Sequence, residues 1–106
     1  LALSYPIQTD VLHLIFQSPI DTAILQRLDS GDVAVFLENS VLRILQNSFL
    51  ADILTQQLSK NRLCALSEDL RIRGIAADEL VNGIEVIDYR ELVGLTVDNQ
   101  IIQSWF

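Results

Sequence analysis

The chain has no methionine, one cysteine, one histidine, two prolines and four glycines among its 106 residues. The single thiol, Cys64, excludes an internal disulfide and any cysteine-rich metal site. The single imidazole, His13, removes the usual zinc and acid–base arrangements. Basic residues are scarce as well: seven Lys and Arg stand against fourteen Asp and Glu, a net charge of -7. Arg71 and Arg73 are the nearest approach to a basic cluster, and this balance argues against direct nucleic-acid binding. The longest apolar run, Val33 to Leu37, falls far short of the ~20 residues that a membrane span needs. Residues 1–10 also lack the basic start and apolar run of a secretory signal, so a soluble cytoplasmic protein is expected. With no methionine present, the natural start is expected at Val11 and the ten residues before it upstream or vector-encoded; in domain terms, 1–11 is expected to be an N-terminal extension or tag-derived segment ahead of a domain over 12–106.

What is plentiful is apolar. Half of the residues are hydrophobic, only 20% are charged, and the mean hydropathy is +0.34. A single domain of this length buries roughly two-thirds of its unfolded surface. The apolar surplus therefore predicts surface that partners cover.

Hydrophobic patterning gives the order of elements. A short apolar run at Leu12, Leu14 and Phe16 reads as a first strand, bounded by Ser18-Pro19. Ser18 is expected to cap a helix with Pro19 at its first position, ending near Leu28. Gly31-Asp32 turns into Val33–Leu37, an uninterrupted apolar run that suits a strand covered on both faces. Leu42, Leu45, Phe49 and Ile53 then fall three and four apart, which predicts one long amphipathic helix over residues 40–59. Leu63 to Leu66 form a third strand, and Ser67 caps a short helix that ends at Arg73-Gly74. Asn82-Gly83 turns the chain into a fourth strand at Ile84, Val86 and Ile87. Asp88 with Glu91 makes a capping box for a helix carrying Leu92, Val93, Leu95 and Val97, followed by a tail ending in Ser104-Trp105-Phe106. Strands alternating with helices predict an α/β three-layer sandwich around a mainly parallel four-stranded sheet with flavodoxin-like strand order.

Ligands of such sheets bind beyond the carboxyl ends of the strands. The segments there carry no cofactor signature. No glycine follows the first strand to admit a pyrophosphate, no P-loop is present, and Phe16-Gln17-Ser18 lacks the acidic pair of a phospho-acceptor domain. No cofactor is expected. Cys64 has the chemistry a persulfide carrier requires, but it sits between Leu63 and Ala65 inside an apolar strand, where burial raises a thiol's pKa. Core packing is its expected role. His13 is expected to be a strand histidine making a local hydrogen bond, and Glu68-Asp69 to stabilise the N-terminus of their helix. Arg71 and Arg73 point in different directions and could meet a partner's acids, while Trp105 and Phe106 either fold back or dock in another subunit.

The run Ala65-Leu66-Ser67-Glu68-Asp69-Leu70, followed by Arg73-Gly74-Ile75, is similar to a stretch of the DsrH/TusB family of DsrE-like sulfur-relay proteins. Leu12-His13, Ser18-Pro19, Gly31-Asp32, Ile87-Asp88-Tyr89, Leu92-Val93, Leu95-Thr96 and Trp105 extend the resemblance in order over residues 12–106. The resemblance implies a subunit of a cytoplasmic heterohexamer, two copies each of three related chains, that passes persulfide sulfur between carriers. The sister chains would be DsrE/TusD-like and DsrF/TusC-like, the transfer cysteine belonging to the former. In the TusB branch the sulfur is destined for 2-thiouridine at the wobble position of tRNA. The DsrH branch of sulfur oxidisers carries a cysteine at the place matching Ile24; its absence here favours the TusB-like branch.

The leading expectation is thus a non-catalytic subunit with no catalytic, cofactor-binding or metal-binding residues, in which Trp105, Phe106, Arg71 and Arg73 are interface candidates. The alternatives are a sulfurtransferase of a sulfur-oxidation pathway that uses Cys64, and a stand-alone flavodoxin-like module binding a small ligand. Maleimide reactivity of the native thiol discriminates the first, and thermal shift with flavins and nucleotides the second. Self-association of the isolated chain is compatible with all three.

Overall fold

A computed structural model of the chain describes residues 10–106, so most of the extension expected over 1–11 lies outside the described residues. The elements run β1 (Val11–Ile15), α1 (Thr22–Gln26), β2 (Val33–Phe36), a 3-10 helix (Glu38–Arg43), α2 (Ala51–Leu58) and β3 (Arg62–Leu66). They continue with α3 (Ser67–Ile72), a 3-10 turn (Ala77–Glu79), β4 (Glu85–Ile87), α4 (Tyr89–Asp98) and β5 (Ile101–Trp105). All strand pairs are parallel, in the order β4-β3-β2-β1-β5. The α/β class and parallel sheet are as the sequence predicts.

Two details of the sheet differ from expectation. It has five strands, because Ile101–Trp105, read from sequence as a tail, pairs with β1 in the register Val11↔Ile101 to Ile15↔Trp105. The strand order is also not that of flavodoxin, where β1 lies between β2 and β3; here it lies between β2 and β5. Three successive crossovers carry the chain outward from β1 to β4, and the last returns past β3, β2 and β1. A right-handed crossover that reverses its direction along the sheet must run over the opposite face.

The core divides accordingly. Ala34 and Phe36 of β2 and Leu63 and Ala65 of β3 face Ile24, Leu25, Leu54 and Leu70 from the first three helices. The alternate residues Val35, Leu37, Cys64 and Leu66 face the layer of α4, which contributes Leu95 and the half-buried Leu92. Strands buried on both faces read as continuous apolar runs, which is why β2 and β3 were legible.

Three helix boundaries also move. Asp21, not Ser18, caps α1: its carboxylate accepts the Ala23 N–H at 2.9 Å, and Ser18-Pro19 is a cis peptide ahead of the helix. The Ser18 hydroxyl accepts from Arg43 Nε at 3.0 Å instead. The single helix expected over 40–59 is two pieces, since Ile44 O accepts the Val81 N–H and the Gln46 N–H donates to Glu79 O. That short antiparallel bridge takes backbone groups a continuous helix would have used for itself. Finally, α3 has no side-chain cap; the Ser67 hydroxyl donates to Glu68 Oε1 rather than accepting from the helix.

Candidate functional site

The strand order reverses between β1 and β5, and beyond their carboxyl ends lies an open cleft of about 640 Å³. Phe16, Ile20 and Pro19 form its apolar floor, Asp21 and Glu38 place two carboxyl side chains on its rim, and Phe106 closes one end. The Phe16 and Phe106 rings stack at a centroid distance of 4.9 Å with an interplanar angle of 9°. Phe106 nevertheless remains 83% exposed, so a flat aromatic surface faces solvent. The Gln17 amide donates to Phe106 O at 3.2 Å and its oxygen accepts the Asp21 N–H at 2.9 Å, fixing the loop.

The rim is held by residues whose connections the sequence did not reveal. Glu38 adopts φ 53, a left-handed conformation that a residue with a Cβ reaches only at a cost. Its N–H donates to Asp69 Oδ2 at 2.8 Å, so Asp69 serves a loop 31 residues away rather than its own helix N-terminus. Arg73 Nη1 lies 3.4 Å from Asp69 Oδ1, and the same guanidinium donates twice to Asn39 Oδ1, at 3.1 and 2.9 Å. Asp69 and Arg73 thus clamp the β2 loop to α3. Ser40, fully buried, accepts the Leu37 N–H and holds its hydroxyl 2.7 Å from Ile15 O and 2.8 Å from Leu37 O, one of which takes its proton.

Behind the cleft, His13 makes long-range bonds instead of the local one expected. Its Nε2 lies 2.9 Å from Asp32 Oδ2, and Trp105 Nε1–H donates to its Nδ1 at 3.1 Å. The Val11 and Asp29 N–H groups also donate to the Asp32 carboxylate, both at 3.1 Å. Both ring nitrogens are occupied and the residue is 6% exposed, so His13 is committed to joining strands. Trp105 therefore folds back onto the sheet, part-buried beside Ile15.

Cys64 lies in mid-strand with no exposed surface. Burial pushes its thiol from 9.0 up to about 11, Glu85 and Glu91 adding to that and the Arg62 charge opposing it. Of the two arginines singled out in the sequence, Arg73 is consumed by the clamp, while Arg71 is exposed. No group of three or more metal-ligating side chains comes together among the described residues. No described helix is long and apolar enough to cross a membrane.

Comparison with known proteins bears on the family and the fold. The family model described as DsrH like protein matches residues 16–101. Protein TusB of Buchnera aphidicola is 36% identical over 99 residues, covering 90% of this chain and all of that one. Protein TusB of Escherichia coli is 31% identical over 99 residues with the same coverage. Among solved structures, a protein of unknown function from Methanobacterium thermoautotrophicum superposes with a TM-score of 0.73 at 19% identity, over 90% of this chain and 96% of that one. The ychN protein of Escherichia coli gives 0.74 at 16%, over 92% and 100%; both likenesses bear on the fold.

Proposed function

Because the chain belongs to the DsrH family, and within it to the TusB-like branch, we propose that it is a non-catalytic subunit of a sulfur-relay complex serving tRNA 2-thiolation. The observation that carries this reading is the state of Cys64. A persulfide acceptor must present a thiolate to a sulfane sulfur. The chain's one thiol is sealed between two layers and its pKa is raised by burial, which supports a reading in which the sulfur travels on the cysteine of another subunit. What this chain contributes is surface: the aromatic cleft at Phe16 and Phe106, and the exposed apolar side chains of β5. Its sister subunits on this reading are DsrE/TusD-like and DsrF/TusC-like chains, in a two-two-two assembly that works in the cytoplasm and hands sulfur to a downstream carrier.

The test is co-expression with its genomic neighbours, followed by light scattering and native mass spectrometry. A two-two-two complex in which persulfide labelling falls on a partner's cysteine and not on Cys64 is the expected result. Failure to bind DsrE-like and DsrF-like chains, or sulfane sulfur found on Cys64, would overturn the reading.

A further inference from the structure

The helix α4 is apolar on two sides. Leu92 and Leu95 face the sheet, while Tyr89, Val93 and Val97, 58%, 59% and 78% exposed, follow one another four residues apart on the outside. Single exposed apolar residues are ordinary, but a helix at a monomer's surface normally keeps its outer side polar. Beside this ridge runs a second row with the same spacing, Arg90, Gly94 and Asp98. A Cβ built on Gly94 would meet nothing within 4 Å, so the glycine relieves no crowding inside the chain. It leaves bare backbone alongside the middle of the apolar ridge, where another helix could approach closer than the usual spacing of about 8–10 Å.

The charges select the occupant. Arg90 and Asp98 stand four residues to either side of Gly94, carry opposite signs, and have no ion-pair partner among the described residues. Each is also at the wrong end of its own helix, a cation near the N-terminus and an anion near the C-terminus, where the macrodipole opposes it. Two copies of α4 laid antiparallel about a two-fold axis at Gly94 reverse both penalties. Arg90 of each then meets Asp98 of the other, each charge over the end of the partner helix that favours it, and Val93 and Val97 flank the partner's glycine. We propose that the outer face of α4 is a self-association surface whose occupant is a second copy of this chain. A self-complementary interface forms every contact twice, which offsets the repulsion between two chains of net charge -7. The proposal does not depend on the relay reading.

One helix pair covers less than the roughly 1,200–2,000 Å² of a standard interface, so the association is weak. Light scattering of the full chain from about 10 µM to about 1 mM spans the range where such a contact populates. The expected result is a monomer–dimer equilibrium that Arg90→Asp abolishes, that Asp98→Arg abolishes, and that the double charge reversal restores. Gly94→Cys should cross-link to itself under mild oxidation faster than Val97→Cys, because only a residue on the axis meets its own copy within disulfide reach. Circular dichroism of each exposed-site variant checks folding. A wild-type chain that stays monomeric at about 1 mM, a dimer indifferent to Arg90→Asp, or a double reversal that fails to restore it would overturn the proposal. So would α4 substitutions that abolish binding of a different chain and leave self-association unchanged.

Discussion

The indole N–H of Trp105 donates to Nδ1 of His13 across 3.1 Å, tying the last strand to the first over a sequence separation of 92 residues. An indole nitrogen can only donate, so Nδ1 is the bare nitrogen and the proton of the neutral ring sits on Nε2, facing Asp32. The two ring planes are nearly parallel, 16° apart with centroids at 6.3 Å. Replacing Trp105 by Phe keeps most of the packing and removes the donor. Trp105→Phe should lower unfolding stability by about 1 kcal/mol, and Trp105→Ala by about 3 kcal/mol. Urea unfolding followed by circular dichroism measures both, and an unchanged Trp105→Phe midpoint would mean that the bond does not form in solution.

The clamp on the β2 loop makes a pair of predictions with opposite signs. Asp69→Ala leaves the Glu38 N–H without its acceptor and takes the carboxylate, though not Asn39, from the Arg73 guanidinium, and should cost about 1 kcal/mol. Glu38→Gly relieves the left-handed conformation at φ 53 and should be neutral or stabilising by up to about 1 kcal/mol. Thermal unfolding of the two variants side by side decides; a destabilised Glu38→Gly would show that the Glu38 side chain contributes contacts of its own.

These two networks mark where sequence reading stops. The buried strands were legible because Val33–Leu37 and Leu63–Leu66 are continuous apolar runs, and the Asp88–Glu91 capping box because its signal is local. The helix break at Ile44–Gln46 was not, since its cause is a backbone bridge to residues 79–81. Asp69 and His13 were placed correctly as to element and wrongly as to partner, because Glu38 and Trp105 come close only through the topology. The fifth strand carried a β-branched pair, Ile101-Ile102, but as an edge strand it lacked the long apolar run that betrayed the central ones.

The buried thiol gives a pH signature. With the folded pKa of Cys64 at about 11 against 9.0, the folded chain keeps a proton through that window which the unfolded chain has lost. Stability contributed by the protonated thiol is therefore complete below about pH 9 and is lost as pH rises toward about 11. The readout is the difference between wild type and Cys64→Ala, whose curve should fall less steeply there. Parallel curves would show that the thiol is not desolvated. Maleimide should correspondingly leave the native protein unlabelled at neutral pH and react fully once it is unfolded.

Gly94 should respond to one substitution in two opposing ways. In the isolated chain a methyl group at this position enters open space, and alanine in a helix interior is more favourable than glycine by about 0.5–1 kcal/mol. Gly94→Ala should raise the unfolding free energy of the monomer by that amount, measured at low micromolar concentration. In the antiparallel pair the same methyl enters between two backbones at their closest approach, once from each copy, and must push them apart. Self-association measured by light scattering at high concentration should weaken in the variant that is the more stable monomer. Ordinary surface optimisation predicts a gain in the first measurement and no change in the second, so only a contact centred on Gly94 produces the divergence.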